Sequence, residues 1–240
     1  MLELYQFPNS PFCLKIRMAL KAKGLSFRTA NITPGIGQIK VFQLTGQRQL
    51  PVLIDEENII SNSSAIIKYL DKTYQKQQLI PENTKYGAQA ILIEDWADTT
   101  LAKATKTELI KSASFNKELL QALLPSDMPP KIKNLANQLS CDAIKEVTQL
   151  INQEKSTRLL ENLEKLSNLV KENQWIVGDS ISVADIAIAA QLSLIKFPPS
   201  SGIHLSGKGC KGFNDNPKFI DLFQWRDDLD LKLMQADSTV

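Results

Sequence analysis

The chain has 240 residues, 43% of them hydrophobic and 22% charged, which suffices for one large folded domain or two small ones. Its formal net charge of +2, without a Lys/Arg block, argues against nucleic acid as a partner. No apolar run approaches the ~20 residues that a membrane span needs. The first strand begins at once, with no basic or apolar leader, so we expect an unprocessed, cytoplasmic protein that contacts no membrane.

The cysteines and the histidine limit the chemistry further. Cys13, Cys141 and Cys210 are odd in number and far apart, which excludes a disulfide framework and any zinc-type spacing. His204 is the only histidine and lies in the loop-like stretch 198–212. A Ser-His-Asp hydrolase would have to use it, yet no G-x-S-x-G elbow is present. We therefore expect neither a hydrolase triad nor a metal site.

The stretch Leu2–Gly24 predicts a strand, a sharp turn and a helix. Pro11 favours the first helical position, which places Ser10 at the N-cap, and Gly24 is a C-terminal stop. The helical spacing predicts a buried face of Phe12, Ile16, Ala19 and Leu20, with Lys15, Lys21 and Lys23 on other faces.

The start of this helix is predicted to be an anion site. Its first amides point outward, and the helix dipole adds roughly half a positive charge there. The Ser10 hydroxyl and the Cys13 thiol lie within one turn of that field, which favours a thiolate of the protein or of a ligand. The alternative stays open that Ser10 only caps the helix and Cys13 only packs in the core.

The pattern over 1–75 predicts a parallel strand-helix-strand unit followed by a hairpin and a further helix. The predicted elements are a weak strand at Ser26–Ile32, a short helix at Ile39–Leu44, a strand at Val52–Ile54, its return at Ile59–Ile60, and a helix after the capping segment Ser61–Ser64. Pro51 opens the third strand as an edge feature or a cis bond.

After a polar linker at 76–84, residues 85–240 are predicted to be all-helical. The predicted helices are Lys85–Ile110, Asn116–Leu124, Lys131–Ile151, Thr157–Glu172, one starting at Ser182, and one opened by Asn216-Pro217. Their leucine rows are typical of a bundle core. Ser182 and Asp185 form a capping box, and the apolar run from Ile186 predicts a buried central helix, so Asp185 is read as structural.

Four segments, in this order and at this spacing, resemble the cytosolic glutathione transferase family over nearly the whole chain. They are S-P-F-C at Ser10–Cys13, Q-L-P-V-L at Gln49–Leu53, N-S-S-A-I-I-K-Y-L at Asn62–Leu70, and G-D-S-I-S-V-A-D at Gly178–Asp185. The resemblance implies a thioredoxin-like α/β domain followed by an all-helical domain. It also implies glutathione as co-substrate, no metal, a hydrophobic electrophile as second substrate, and a homodimer.

The resemblance implies roles for individual residues. Ser10 would donate a hydrogen bond to the glutathione sulfur, and Ser63 would take the γ-glutamyl carboxylate. Leu50, held by Pro51, would pair with the cysteinyl backbone, and Gln49 would face the glycyl end. The remaining candidates are Phe12 and Asn62 for glutathione, and Trp96, Leu101 and Phe115 for the second substrate.

Three positions depart from the family pattern. Tyr5 lies near the position of the tyrosine-type classes but out of register with it. Asn62 stands where an acidic residue or glutamine is usual, which weakens the expected recognition of the γ-glutamyl amine. Cys13 fills the second position of a C-P-F-C redox turn whose first position is Ser10, so a dithiol cycle is impossible there. Three hypotheses follow: a transferase using Ser10, a glutathione-dependent peroxidase or thiol reductase using Cys13, and a non-catalytic binding protein with the same fold.

Overall fold

A computed structural model describes residues 1–33, 35, 37–123 and 153–235. The predicted helix 131–151, the Pro125–Pro130 stretch and Cys141 lie outside these residues. The chain divides into two compact units. Unit 1 comprises Met1–Asp98, Gln174–Gln191 and Leu229–Val240, and unit 2 comprises Thr99–Asn173 and Leu192–Asp228.

Unit 1 contains a four-stranded mixed sheet in the order β2-β1-β3-β4. Its strands are β1 (Leu2–Gln6), β2 (Phe27–Asn31), β3 (Val52–Asp55) and β4 (Asn58–Ser61). β1 pairs in parallel with β2, with Leu4 opposite Thr29, whereas the β1–β3 and β3–β4 pairs are antiparallel. This arrangement confirms the predicted parallel unit and hairpin, and with the helices below it confirms the thioredoxin-like α/β class.

Three helices accompany the strands: α1 (Pro11–Ala22), α2 (Gly37–Thr45) and α3 (Ser63–Thr73). Gly24 has a φ of +65°, the left-handed conformation expected of a helix stop. The Leu50–Pro51 peptide is cis, the second of the two predicted possibilities. Ile16, Ala19 and Leu20 are fully buried as predicted, and Phe12 is half-buried.

In the rest of the described chain the regular elements are helices, including short 3-10 helices at Pro199–Ser201 and Pro217–Phe219, joined by turns and loops; Lys196 and Gly209 form an isolated bridge. Its helices are α4 (Thr84–Trp96), α5 (Ala102–Phe115), α6 (Lys117–Leu123), α7 (Gln153–Glu172), α8 (Val183–Leu192) and α9 (Ile220–Gln235). The single helix predicted over 85–110 is wrong in one respect. A π turn at Ala97–Leu101 separates α4 from α5, and such insertions frequently occur at functional sites.

The linker predicted at 76–84 is held by a buried carboxylate. Asp71 on α3 accepts main-chain hydrogen bonds from Leu79 at 3.1 Å and Ile80 at 2.8 Å, and it pairs with Lys23 at 2.7 Å. Leu79 has no exposed surface, and its carbonyl accepts from the Val183 amide at 2.8 Å. Although residues 76–84 are mostly polar, hydrogen bonds from Leu79 and Ile80 to Asp71 hold this segment in place. Lys23, predicted to lie off the buried face, is only 3% exposed because Asp71 pairs with it.

The capping box before α8 forms as predicted. Asp185 accepts from the Ser182 amide at 2.8 Å and from its hydroxyl at 2.7 Å, and its other oxygen accepts from the Ile176 amide at 2.7 Å. Burial raises the pKa of Asp185, and these hydrogen bonds oppose that effect. The run Ile186–Ala190 has no exposed surface, which confirms a buried central helix.

A second carboxylate, Asp55 at the end of β3, binds two phenols and gives a testable titration. Its Oδ2 accepts from the Tyr69 hydroxyl at 2.8 Å and the Tyr74 hydroxyl at 2.6 Å. The hydrogen bond to Asp55, together with burial, raises the pKa of Tyr74 from 10 to about 12. The unfolded chain loses this proton first, so we expect the free energy of unfolding to fall as the pH rises from 10 to about 12.

Alkaline absorbance titration of the tyrosines measures this pKa directly. The step near 12 should vanish in Tyr74→Phe and move toward 10 in Asp55→Asn, where the carboxylate charge is gone. A step near 10 for Tyr74 in the unsubstituted protein would contradict the prediction.

Candidate functional site

The turn between β1 and α1 presents Ser10 at the start of the helix. The Ser10 amide donates to the Phe7 carbonyl at 3.1 Å, and its own carbonyl accepts from the Leu14 amide at 2.9 Å. Ser10 has extended backbone angles and Pro11 follows at the first helical position, so Ser10 occupies the N-cap as predicted. Its hydroxyl makes no capping hydrogen bond, which leaves the first-turn amides without a side-chain cap. Ser10 itself is half-buried.

Cys13 lies beneath this turn with no exposed surface. Burial raises the pKa of its thiol, and three weaker effects oppose it: a main-chain hydrogen bond from Phe7, the Ser10 hydroxyl, and the charge of Arg17. The Ser10 hydroxyl therefore hydrogen-bonds this sulfur, and the Arg17 guanidinium acts on it through its charge. A fully buried thiol that is hard to ionise is a poor nucleophile toward dissolved partners.

Arg17 was not singled out by the sequence pattern, yet it binds the turn directly. Its Nη2 donates to the Pro8 carbonyl at 3.0 Å, and its Nη1 donates to Gln6 Oε1 in a short contact. The Gln6 amide in turn donates to Asn31 Oδ1 at 3.0 Å. The guanidinium thus joins α1 to the end of β1 and to the turn that carries Ser10.

The cis-proline segment lies at the start of β3. Pro51 is buried, Leu50 is half-buried and Gln49 is exposed. The Leu50 side chain packs against a small apolar cluster of Tyr5, Val41 and Val52. This packing fixes the segment, while the expected pairing of the Leu50 main chain with glutathione stays a prediction.

Asn62 precedes α3 in a strained conformation. Its φ of +76° is uncommon for a residue with a side chain, and such strain clusters at functional sites. Its Oδ1 accepts from the Ser64 amide at 3.0 Å and the Ala65 amide at 3.2 Å, so Asn62 caps the helix. Two donors that a ligand carboxylate could have used are therefore already occupied.

Ser63 is 5% exposed and belongs to a buried charged cluster. Lys15 on α1, which has no exposed surface, pairs with Asp98 Oδ2 at 2.6 Å and with Glu94 in a shorter contact. Ser63 Oγ lies 3.5 Å from Lys15 Nζ and 3.5 Å from Asp98 Oδ2. The second Asp98 oxygen is buried without a hydrogen-bond partner among the described residues. The predicted Ser63 contact with the γ-glutamyl carboxylate stays a prediction.

The placement of Lys15 corrects the expectation that it lies off the buried face. One signal in the sequence could have indicated it. Glu94 and Asp98 are four residues apart, a spacing that puts two carboxylates on one face of a helix. The pattern does not show where that face is directed, and it lies against α1.

The three candidates for the second substrate differ in exposure. Leu101 has no exposed surface, Trp96 is half-buried, and Phe115 is 63% exposed. Trp96 belongs to unit 1, whereas Leu101 and Phe115 belong to unit 2. Their assignment to a substrate pocket stays a prediction.

Two absences hold for residues 1–33, 35, 37–123 and 153–235. Within these ranges there is no group of three or more His, Cys, Asp or Glu side chains that could hold a metal ion. Within the same ranges, no helix combines the length and apolar character needed to cross a bilayer.

Two family models match the chain, one over each half. The model of the glutathione S-transferase N-terminal domain matches residues 4–78, and that of the C-terminal domain matches residues 116–202. Together they cover about two thirds of the chain.

Individual relatives carry several different names. A stringent starvation protein A homolog of Pasteurella multocida is 26% identical over 51% of this chain and 60% of its own. A probable maleylacetoacetate isomerase of Vibrio cholerae is 34% identical over 40% of this chain and 48% of its own. Glutathione S-transferase theta-3 of Mus musculus is 26% identical over 94% of this chain and 80% of its own. The chain thus spans about half to three fifths of the length of the first two relatives.

Solved structures agree on the fold. The β-etherase LigF from Sphingobium sp. strain SYK-6 superimposes with a TM-score of 0.71 at 17% identity, over 100% of this chain and 99% of its own. At this identity the likeness concerns the fold alone. The two family models and the strand order, with the helices that follow, support one assignment: the chain belongs to the glutathione S-transferase family.

Proposed function

We propose that the chain is a glutathione transferase that conjugates the glutathione thiolate to hydrophobic electrophiles. The observation that carries this proposal is the start of α1, where the first-turn amides have no side-chain cap and the Ser10 hydroxyl is half-buried beside them. Bare amides and the helix dipole favour an anion at this point.

Ser10 stabilises the anion in this mechanism and does not act as a base. A serine hydroxyl is far too weakly acidic to accept the thiol proton at neutral pH, but it donates a hydrogen bond to the thiolate that remains. A hydroxyl rotates about its own bond, so Ser10 can turn from the Cys13 thiol to a bound sulfur. Stabilising the charged form lowers the pKa of the glutathione thiol from its ordinary value of ~8.5.

The reaction itself is a nucleophilic substitution or addition. The thiol proton passes to solvent, and a sulfur electron pair forms the new S–C bond. In a substitution the leaving group departs with the electron pair of its bond to carbon. In an addition to an isothiocyanate the C=N π bond breaks, its electron pair moves to nitrogen, and that nitrogen takes a proton from solvent. The protein stabilises and positions the glutathione thiolate, while the electrophile supplies the polarised carbon.

The remaining glutathione contacts follow the family pattern. Leu50, held by Pro51, is proposed to pair through its main chain with the cysteinyl residue, with Gln49 near the glycyl end. The γ-glutamyl end is proposed to lie at Asn62 and Ser63, and the strained backbone of Asn62 supports a functional role there. The homodimer, the cytoplasmic location and the second-substrate pocket belong to the same proposal.

A conjugation assay on the full chain tests this function. We expect the purified protein to form the glutathione conjugate of a chlorodinitrobenzene or an isothiocyanate faster than the uncatalysed reaction. The matched control is Cys13→Ser, which should keep this activity, because Cys13 has no exposed surface for contact with either substrate. Absence of conjugation with both electrophile classes would contradict the proposal.

The same control tests the peroxidase or thiol reductase hypothesis. That chemistry needs the Cys13 thiolate, whereas burial raises the pKa of this thiol. A large loss of disulfide or hydroperoxide reduction in Cys13→Ser would favour it nevertheless.

A non-catalytic binding function is the second candidate, and the α3 cap favours it. Asn62 Oδ1 already binds the Ser64 and Ala65 amides, which leaves fewer donors for a γ-glutamyl carboxylate. One relative is a stringent starvation protein A homolog. Another, 22% identical over 81% of this chain, is FtsZ-localized protein A of Caulobacter vibrioides. Calorimetric titration that shows no glutathione binding at millimolar concentration would establish this candidate over the transferase.

A further inference from the structure

We propose that Arg17 is a positioning residue for the turn that carries Ser10, and that its charge, opposed by Asp230, sets how readily a thiol bound at that turn ionises. This inference rests on the proposed function, because it concerns a thiol bound at the start of α1. It assigns roles to Arg17 and Asp230 that neither the family pattern of motifs nor the sequence pattern indicates.

Arg17 is directed toward the turn by its place on α1. It follows Ser10 by seven residues and Cys13 by four, so the three share one face of the helix. Helical side chains lean toward the helix N-terminus, and here the guanidinium reaches back to the Pro8 carbonyl, 3.0 Å away. That carbonyl lies two residues before Ser10.

The guanidinium is held in place by more than one bond. Its other terminal nitrogen donates to Gln6 Oε1, and the amide of Gln6, a residue only 5% exposed, donates to Asn31 Oδ1 at 3.0 Å. A planar guanidinium with two fixed acceptors has little freedom to move. The turn is therefore tied to β1, β2 and α1 through Arg17, which restrains the main chain that positions Ser10.

The charge of Arg17 acts close to the sulfur site. Among the described residues, the ionisable groups that interact electrostatically with the guanidinium are Cys13 on α1 and Asp230 on α9. The two groups that accept hydrogen bonds from Arg17, the Gln6 side-chain amide on β1 and the Pro8 carbonyl in the turn, carry no charge. Burial lowers the pKa of Arg17, and the arginine still carries its proton at neutral pH. Because the guanidinium is half-buried, its charge is screened less than that of a fully exposed arginine and acts more strongly on its neighbours.

The two charges have opposite consequences for a thiolate at the turn. The guanidinium favours the anion and lowers the pKa of the bound thiol. Asp230 on α9, only 3% exposed, interacts electrostatically with the guanidinium, so it offsets part of that charge and raises the same pKa. Removing one or the other should therefore move the thiol pKa in opposite directions, a result that general loss of structure does not produce.

The experiment is an ultraviolet difference titration of the glutathione thiolate bound to the full chain, with pH profiles of kcat/KM for conjugation. We expect Arg17→Met to raise the pKa of the bound thiol by about 1, which lowers kcat/KM about tenfold below that pKa. We expect Asp230→Asn to lower the pKa. Arg17→Lys keeps the positive charge but loses the second hydrogen-bond donor of the guanidinium. It should therefore keep the pKa of the bound thiol near that of the parent and raise KM.

The outcomes separate the two proposals. An unchanged thiol pKa in both Arg17→Met and Asp230→Asn, or a change in the same direction in both, overturns the inference while conjugation stands. Should Arg17→Met fail to fold by circular dichroism, Asp230→Asn decides alone, since a raised or unchanged pKa there overturns the inference. No bound thiolate in the unsubstituted protein overturns the proposed function and this inference with it.

Discussion

Replacing Ser10 with alanine should reduce kcat/KM for glutathione conjugation by about 10- to 100-fold. A hydrogen bond to a charged acceptor contributes about 1.5–3 kcal/mol, and each 1.4 kcal/mol is a factor of ten in rate. The residual activity reflects the first-turn amides and the helix dipole, which this substitution leaves in place. Steady-state kinetics with a chlorodinitrobenzene measures the loss.

Stability provides the control for this substitution. An N-cap serine that binds the helix amides contributes about 1 kcal/mol, but the Ser10 hydroxyl makes no such bond. Ser10→Ala should therefore change the urea midpoint little, and Ser10→Thr, which keeps a hydroxyl, should recover part of the activity. Equal rates for Ser10→Ala and the parent would remove Ser10 from the mechanism.

Replacing Lys15 with methionine should lower the free energy of unfolding by about 3–5 kcal/mol, because it leaves buried carboxylates without their counter-charge. Lys15 has no exposed side-chain surface, and Glu94 and Asp98 are only 5% and 13% exposed. Urea unfolding followed by circular dichroism measures the change.

The chain offers a matched exposed pair as control. Lys218 lies 2.6 Å from Glu164, with 65% and 42% of the two side chains exposed. Lys218→Met should change the free energy of unfolding by no more than about 1 kcal/mol. Adding Glu94→Gln and Asp98→Asn to Lys15→Met should restore much of the lost stability, since the uncompensated charges are then gone. A cost for Lys15→Met as small as that for Lys218→Met would contradict the prediction.

The local elements that position the site could be predicted from the sequence. Proline at the first helical position, a capping residue before it and glycine after the last turn are signals read within a few residues, so the start and end of α1 were correct. The Ser182–Asp185 capping box was correct for the same reason. Order and spacing of such segments also identified the family, because each recurs at a set point of one fold.

The burial of charged side chains was decided by the tertiary structure alone. Lys15 and Lys23 look like solvated residues in a helical pattern, and they are buried because partners 48 to 83 residues away fold against them. A pattern within one element carries no information on such partners, and a buried lysine without one would be unstable. Arg17 differs in being half-buried with nearer partners, but its acceptors also lie outside its own helix, on the strand and the turn that pack beside α1.

What the sequence determined, then, is everything that depends on neighbours along the chain: the helix ends, the capping box and the position of Ser10 at a helix start. The tertiary structure decided which charges meet. It placed Arg17 against the Ser10 turn and enclosed Lys15 between two carboxylates. The physical reason is that capping acts over one helical turn, whereas the pairing of buried charges requires that distant elements have already packed together.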